Sequence, residues 1–157
     1  VQADGLVPEA GGSTTIDYSP PGVAPSCPVV TGLALWEWQV VQPAARRFLG
    51  SSVSSIDHYG SYSCRRMYGA SDSAWSEHAT GNAIDIASFT LENGETVSVL
   101  GAWGEGSTEK QAFLRAIRDG ACDLFATVLS PDYNAAHANH LHFDQADRGA
   151  TGWRACR

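Results

Sequence analysis

The apolar residues between positions 33 and 49 recur at intervals of three and four, which predicts a helix over this stretch. Pro43 does not fit unperturbed inside a helix, so we expect a kink or a new helix start there. Gly50 is a typical helix end. A second helix is predicted over residues 108–120, because its first residues form a capping-box pattern.

Between and after these helices the pattern is typical of strands. The Asn93-Gly94 pair is a strong two-residue hairpin turn and predicts that the chain returns antiparallel after it. The elements lack the regular order of β-α-β units, so we predict an α+β fold with a small, mainly antiparallel sheet flanked by helices. The predicted strands cover residues 52–59, 82–89, 96–100, 124–129 and 140–143.

The first 26 residues show neither the helical nor the strand periodicity. They contain four of the seven prolines and several glycines. We therefore expect an irregular N-terminal arm over residues 1–26 and one domain over residues 27–157. A chain of 157 residues is long enough to bury a single core.

Charge and hydropathy limit the classes of partner. The formal net charge is −7, and nucleic-acid binding needs clustered positive charge, so we do not expect nucleic acid as a partner. No apolar run approaches the ~20 residues of a membrane span. We interpret the negative charge as ordinary solubility charge and expect a monomer.

The four cysteines are widely spaced and form no C-x-x-C pair, which argues against a cysteine zinc knuckle. Two disulfides in an oxidising compartment would make the protein periplasmic or secreted; four reduced cysteines in the cytosol are the alternative. Three pairings are possible. A helix of ~17 residues and a strand of ~8 have similar lengths, ~26 Å, and so return the chain to its start. This favours Cys27–Cys64 and Cys122–Cys156.

Three of the five histidines lie in HANHLHFD, residues 137–144. In a strand, residues two apart face the same side, so His140 and His142 are expected to project together. One can hold a metal ion while the other lies over whatever the metal binds. Asp144 shares this face and can accept a hydrogen bond from a ligating ring. His137 can reach the same pocket. Histidines on a hydrated strand face are the alternative.

A second segment, SEHATGNAID over residues 76–85, supplies His78 and Asp85, with Gly81 allowing a turn between them. Asp85 is flanked by isoleucines in a predicted strand, where a carboxylate is costly unless it is paired or metal-bound. With one of the two strand histidines, two imidazoles and one carboxylate leave a fourth position open, as in catalytic zinc sites. The His-x6-Asp spacing and the His-x-His spacing each occur by chance, so the prediction of a metal site needs both segments. We predict a zinc cleft on the sheet.

S-x-H-x6-D followed by H-x-H resembles the signature of the zinc peptidase group named after lysostaphin, D-alanyl-D-alanine carboxypeptidase and sonic hedgehog. Within that group the chain is similar to the bacterial extensin-like C-terminal domain family. The matching segments are residues 60–65, 76–89, 113–122 and 127–144. The resemblance implies a peptidase that hydrolyses peptide cross-links or stem peptides of bacterial peptidoglycan, as a D,D-endopeptidase or a carboxypeptidase.

The resemblance also implies roles for single residues. His78, Asp85 and His142 would bind Zn²⁺, and His140 would be the catalytic histidine. Zinc would lower the pKa of its water to ~7, and a general base would take the proton. D-alanyl-D-alanine dipeptidases resemble the chain less, because they have a glutamate in the neighbourhood of His137. The choice of general base therefore stays open between His140 and His137.

Two further residues are candidates for substrate binding. Arg65 corresponds to an arginine that holds a substrate carboxylate in related peptidases, a task that suits a guanidinium group. An exposed arginine without this role is the alternative. Ser76 lies two residues before His78 and can bind substrate or a ligand, or can be a plain turn serine.

Two other functions compete with a zinc peptidase. The first is a non-catalytic zinc-binding module that binds the cell wall or a partner, as hedgehog proteins show within this group. The second is a non-haem iron oxygenase with two histidines and one carboxylate. Such oxygenases usually carry His-x-Asp on one strand, whereas six residues separate His78 from Asp85.

Overall fold

The computed structural model describes residues 15–157, and within them a seven-stranded sheet and flanking helices. The first 14 residues of the predicted arm lie outside the described residues. The α-helices are α1 Cys27–Trp36, α2 Gln42–Leu49, α3 Val99–Ala102 and α4 Thr108–Ala121. The strands are β1 Asp17–Ser19, β2 Val53–Gly60, β3 Ala83–Leu91, β4 Thr96–Ser98, β5 Thr127–Leu129, β6 Leu141–Asp144 and β7 Ala155–Cys156.

A π-helical turn over Glu37–Val41 joins α1 to α2. The helix predicted from residue 33 begins earlier, as α1 at Cys27. Pro28 lies in the first turn of α1, where its missing N–H is harmless. Pro43 likewise lies in the first turn of α2, which confirms the predicted new start. Gly50 ends α2 with φ of 67°, a conformation that favours glycine. None of the helices in residues 15–157 has the length and apolar character that a membrane span requires.

The sheet is mixed, with strand order β1-β2-β3-β6-β5-β7 and β4 also paired to β3. The inner pairs are antiparallel, whereas β1 joins β2 and β7 joins β5 in parallel. The prediction of a mainly antiparallel sheet was therefore wrong. The two parallel edge strands contain three and two residues, which is too few to show an alternating pattern. One of them also lies in the segment that was expected to be irregular.

Trp36 connects α1 to both α4 and the sheet. Its ring packs edge-on against Phe143 of β6 at a centroid distance of 5.0 Å. Its indole Nε1–H donates to the carbonyl oxygen of Ile117 in α4, 2.8 Å away, which satisfies a donor that would otherwise be buried without a partner. Phe89 of β3 packs against Phe113 of α4 in the same core, at 5.3 Å. The helices therefore cover one face of β3 and β6.

Alternation along the two central strands separates the core from the opposite face. In β6, Leu141 and Phe143 are fully buried in the apolar core. Their neighbours His142 and Asp144 point away from it, because successive strand residues face opposite sides. Asp85 has the same position in β3, between two core isoleucines. The polar residues of both strands therefore share one face of the sheet.

One of the two expected disulfides is present. Cys122 is bonded to Cys156 with a Cα–Cα distance of 5.6 Å, which ties the end of α4 to β7 and confirms that prediction. Cys27 and Cys64 are exposed free thiols, so the predicted bond between them was wrong. The predicted bond required outgoing and returning segments of equal length. The outgoing helical segments of 10, 5 and 8 residues extend for about 34 Å, whereas the eight-residue strand β2 returns only about 26 Å.

Candidate metal centre

Asp85 and His142 are directly opposite each other on the antiparallel strands β3 and β6. The pairs on either side are apolar and face the core. Nδ1 of His142 lies 2.9 Å from Oδ1 of Asp85. The alternation that buries the flanking residues therefore also brings this carboxylate and this imidazole together on the other face.

His78 reaches the pair from a 3-10 turn just before β3. The hydroxyl of Ser76 accepts the backbone N–H of His78 at 3.3 Å, and Gly81 ends the turn with φ of 67°, which confirms the expected reversal. Nε2 of His78 lies 3.2 Å from Oδ2 of Asp85 and 3.2 Å from Nδ1 of His142. The ligand atoms of the three residues all lie within 4.8 Å of one another, so the group can hold a metal ion.

The second ring nitrogen of each histidine faces an acceptor. Nδ1 of His78 lies 3.0 Å from the carbonyl oxygen of Ser61, and Nε2 of His142 lies 3.0 Å from Oδ2 of Asp144. Asp144 therefore occupies the supporting position expected from the sequence. Such acceptors orient a ligating ring and leave its other nitrogen free for a metal. Two imidazoles and one carboxylate held in this way fit a divalent cation with a further coordination position open.

A proton on His142 balances the two carboxylates around it in the metal-free protein. Burial opposes a charged ring, but the hydrogen bonds to Asp144 and Asp85 prevail and raise the pKa of His142 to about 9. Burial also opposes ionisation of Asp85, yet His142 and His78 hold the pKa of that carboxyl well below its usual value. A metal ion and this proton therefore compete for Nδ1 of His142.

His137 and His140 lie at the edge of the same group and are called the outer histidines below. His140 immediately precedes β6, and its Nε2 is 3.5 Å from Oδ1 of Asp85. The ring of His137 lies 5.0 Å from that of His140 and 6.0 Å from that of His142, measured between centroids. Burial lowers the pKa of both outer rings, that of His137 to about 4. Both rings are therefore neutral at pH 7 and able to accept a proton.

Arg65 and Ser76 lie beside each other, since the N–H of Ser76 donates to the carbonyl oxygen of Arg65 at 3.1 Å. Arg65 is exposed, and its positive charge adds slightly to the lowered pKa of both His137 and His140, which burial mainly causes. Ser76 is buried, and its hydroxyl caps the turn that carries His78. A role for Ser76 in substrate binding stays a prediction.

Sequence patterns missed the residues that hold the two outer histidines. One asparagine and one tyrosine contact each ring: Asn134 and Tyr133 at His137, Asn139 and Tyr59 at His140. The asparagines precede their histidines by three residues and by one. Asparagine is common in turns, so this proximity alone is no signal of function.

A family model described as Extensin-like protein C-terminus matches residues 7–157. The match begins within the predicted N-terminal arm and includes every residue of the metal centre. No curated protein and no solved structure shows significant similarity to the chain.

Proposed function

The chain belongs to the extensin-like protein C-terminus family, and we propose that it is a zinc-dependent peptidase acting on the peptides of bacterial peptidoglycan. The reaction would be hydrolysis of a cross-link or stem-peptide bond, as a D,D-endopeptidase or a carboxypeptidase. The observation that carries the proposal is a group of three metal-binding side chains beside two neutral histidines.

His78, Asp85 and His142 would hold the zinc ion. The second nitrogen of each ring already has an acceptor, and Asp85 lies within 3.2 Å of both imidazoles. Three protein ligands are typical of catalytic zinc, because structural zinc sites are usually closed by a fourth. Bound zinc supplies a Lewis acid that polarises a carbonyl group and makes a water molecule more acidic.

His140 is the better placed of the two candidates for the general base. Its Nε2 lies 3.5 Å from the Asp85 carboxylate, next to the proposed ligands. Its lowered pKa keeps the ring neutral, so it can take a proton from the attacking water and return it to the leaving amine. His137 is the second candidate, because its ring lies 5.0 Å from that of His140.

Arg65 would bind a carboxylate of the substrate. Its side chain is exposed, and its backbone carbonyl accepts the N–H of Ser76, two residues before the proposed ligand His78. A planar guanidinium binds a carboxylate through two parallel hydrogen bonds, which orients the substrate as well as attracting it. The Cys122–Cys156 disulfide fits an oxidising compartment and supports a periplasmic or secreted location for this reaction.

The test is mass spectrometry of muropeptides after digestion of purified peptidoglycan. The zinc-loaded chain should release peptide products, and a chelator should abolish their release. The zinc-loaded His140→Ala variant is the control for contaminating hydrolases. Full zinc occupancy without cleavage of any peptidoglycan would instead indicate a non-catalytic zinc-binding module. Products that persist in chelator would exclude the metal from the reaction.

A further inference from the structure

Two asparagines contact the rings of the outer histidines, Asn134 at His137 and Asn139 at His140. We infer that Asn134 and Asn139 are positioning residues that fix His137 and His140 in the tautomer with hydrogen on Nδ1. Each Nε2 then carries a free lone pair. Neither asparagine belongs to the motif that identifies the metal ligands.

Asn134 holds His137 through both its main chain and its side chain. Its carbonyl oxygen accepts the backbone N–H of His137 at 3.1 Å, and its Oδ1 lies 2.7 Å from Nδ1 of the ring. The amide turns its Oδ1 toward the ring, and because an amide oxygen accepts hydrogen bonds and cannot donate them, Nδ1 carries the hydrogen in this arrangement. In a neutral imidazole this leaves Nε2 unprotonated.

Asn139 holds His140 in the same way, with Oδ1 2.8 Å from Nδ1 of the ring. The other end of the amide, Nδ2, faces the hydroxyl of Tyr59 at 3.5 Å, so the amide presents Oδ1 to the histidine. The ring of Tyr59 also packs edge-on against that of His140, with centroids 6.0 Å apart. Asn139 and Tyr59 therefore hold the ring from two sides.

The alternative for His140 is a hydrogen on Nε2 that is donated to Asp85. That contact is 3.5 Å long, whereas the contact to Asn139 is 2.8 Å. Ordinary N–H···O hydrogen bonds span about 2.7–3.2 Å, so only the asparagine is within normal range. Asp85 is moreover already paired with His78 and His142. The asparagine therefore determines the tautomer.

This choice of tautomer matters because only an unprotonated nitrogen can accept a proton from water. A neutral amide selects the tautomer without adding a negative charge beside the ring. The consequence for catalysis rests on the proposed function, whereas the tautomers themselves do not. They can be measured in the zinc-loaded chain whether or not it hydrolyses peptides.

The test is two-bond ¹H–¹⁵N correlation NMR of the imidazole rings in the zinc-loaded full chain, which has only five histidines to assign. We expect His137 and His140 both to show hydrogen on Nδ1. Asn139→Leu should shift His140 toward the Nε2–H form and leave His137 unchanged. Asn134→Leu should do the reverse, so each variant is the folding control for the other. Asn139→Asp, which keeps the acceptor oxygen, should retain the original tautomer.

Hydrogen on Nε2 of either ring in the wild-type protein would overturn the inference, and so would an unchanged tautomer in the matching leucine variant. If the proposed function holds, each leucine variant should also lose about 10–100-fold in kcat, with KM and zinc content unchanged. An inactive wild-type chain with the expected tautomers would contradict the proposed function and leave the inference standing.

Discussion

Oδ1 of Asp85 lies 2.9 Å from Nδ1 of His142, and the same two residues are paired in the register of β3 and β6. Their contact is therefore set by the pairing of two central strands. His78 is the one member of the three that comes from outside these strands, and a capped turn holds it directly before β3. Two of the three proposed ligands are thus positioned by the strand pairing of the sheet.

Asp85→Asn should abolish tight zinc binding while the protein stays folded. The amide has the shape of the carboxylate but no charge, so two imidazoles face a neutral group. Loss of a supporting residue typically lowers metal affinity 10–100-fold, and loss of a ligand should exceed that range. Competition with a chromophoric chelator measures the affinity, and the wild type should bind one zinc per chain.

The control for this variant is Asp119→Asn, which removes an exposed carboxylate on α4. It should bind zinc as the wild type does. Equal zinc affinity in the wild type and Asp85→Asn would remove Asp85 from the ligand set.

His140→Ala should retain zinc and lose most peptidase activity. A positioned general base typically contributes 10²–10⁴-fold to the rate, so the loss in kcat should fall in that range. His137→Ala should lose less, because its ring lies farther from Asp85. Activity and zinc content are measured on the same preparations, with His142→Ala as the variant that loses the metal. Loss of zinc from His140→Ala would make His140 a ligand.

The metal-free protein should become less stable as the pH rises from 6.5 to 9. An unfolded histidine has a pKa of ~6.5, whereas the pKa of His142 in the fold is about 9. The folded state therefore binds this proton more tightly, and the stabilisation, present in full below pH 6.5, is lost as the pH rises through 9. Its size is roughly 3 kcal/mol in the free energy of unfolding. Urea unfolding in chelator at several pH values measures it.

The lowered pKa values of His137 and His140 affect stability only below the pKa of an unfolded histidine. They therefore do not contribute to the change in stability between pH 6.5 and 9. His142→Gln should flatten the dependence between pH 6.5 and 9. A wild-type stability that is constant or rises over this interval would contradict the assignment of the proton to His142.

The unreduced, denatured chain should contain two reactive thiols, those of Cys27 and Cys64, and reduction should raise the number to four. Replacing Cys122 and Cys156 together by serine should lower the free energy of unfolding by ~2–4 kcal/mol. The matched control replaces the exposed Cys27 and Cys64 and should change it by less than about 0.5 kcal/mol. A disulfide-linked peptide that contains Cys27 or Cys64 would be incompatible with this arrangement.

The clustering of the candidate metal-binding residues could be predicted because two signals agree along the same strands. Asp85 interrupts an apolar pattern, and His142 lies between Leu141 and Phe143, so alternation alone puts both polar residues on one face. The turn at Gly81 then brings His78 back to that face. Residue type and periodicity therefore brought these side chains together on one face, whereas the choice of His142 over His140 as a ligand rested on the family resemblance.

The edge strands of the sheet and the asparagines that contact the outer histidines could not be predicted in this way. β1 and β7 contain only three and two residues, and their pairing depends on where distant parts of the chain lie. Asn134 and Asn139 act through the conformation of the loop before β6, and loop asparagines carry no periodic signal. The free thiols of Cys27 and Cys64 follow from the true length of the first helix, which starts six residues before the apolar pattern becomes visible.

Core and candidate metal-binding residues alternate along β6 and along the segment of β3 that pairs with it, so both sets share one register. Deleting or inserting a single residue within Ala83–Ile86, the segment of β3 that pairs with β6, would turn an isoleucine toward the histidines and Asp85 toward the apolar core. During divergence, substitutions can accumulate separately on the two faces, but changes in length within these paired segments cannot. Insertions should be tolerated instead at the Asn93-Gly94 hairpin, which lies beyond the strand segment that faces His142.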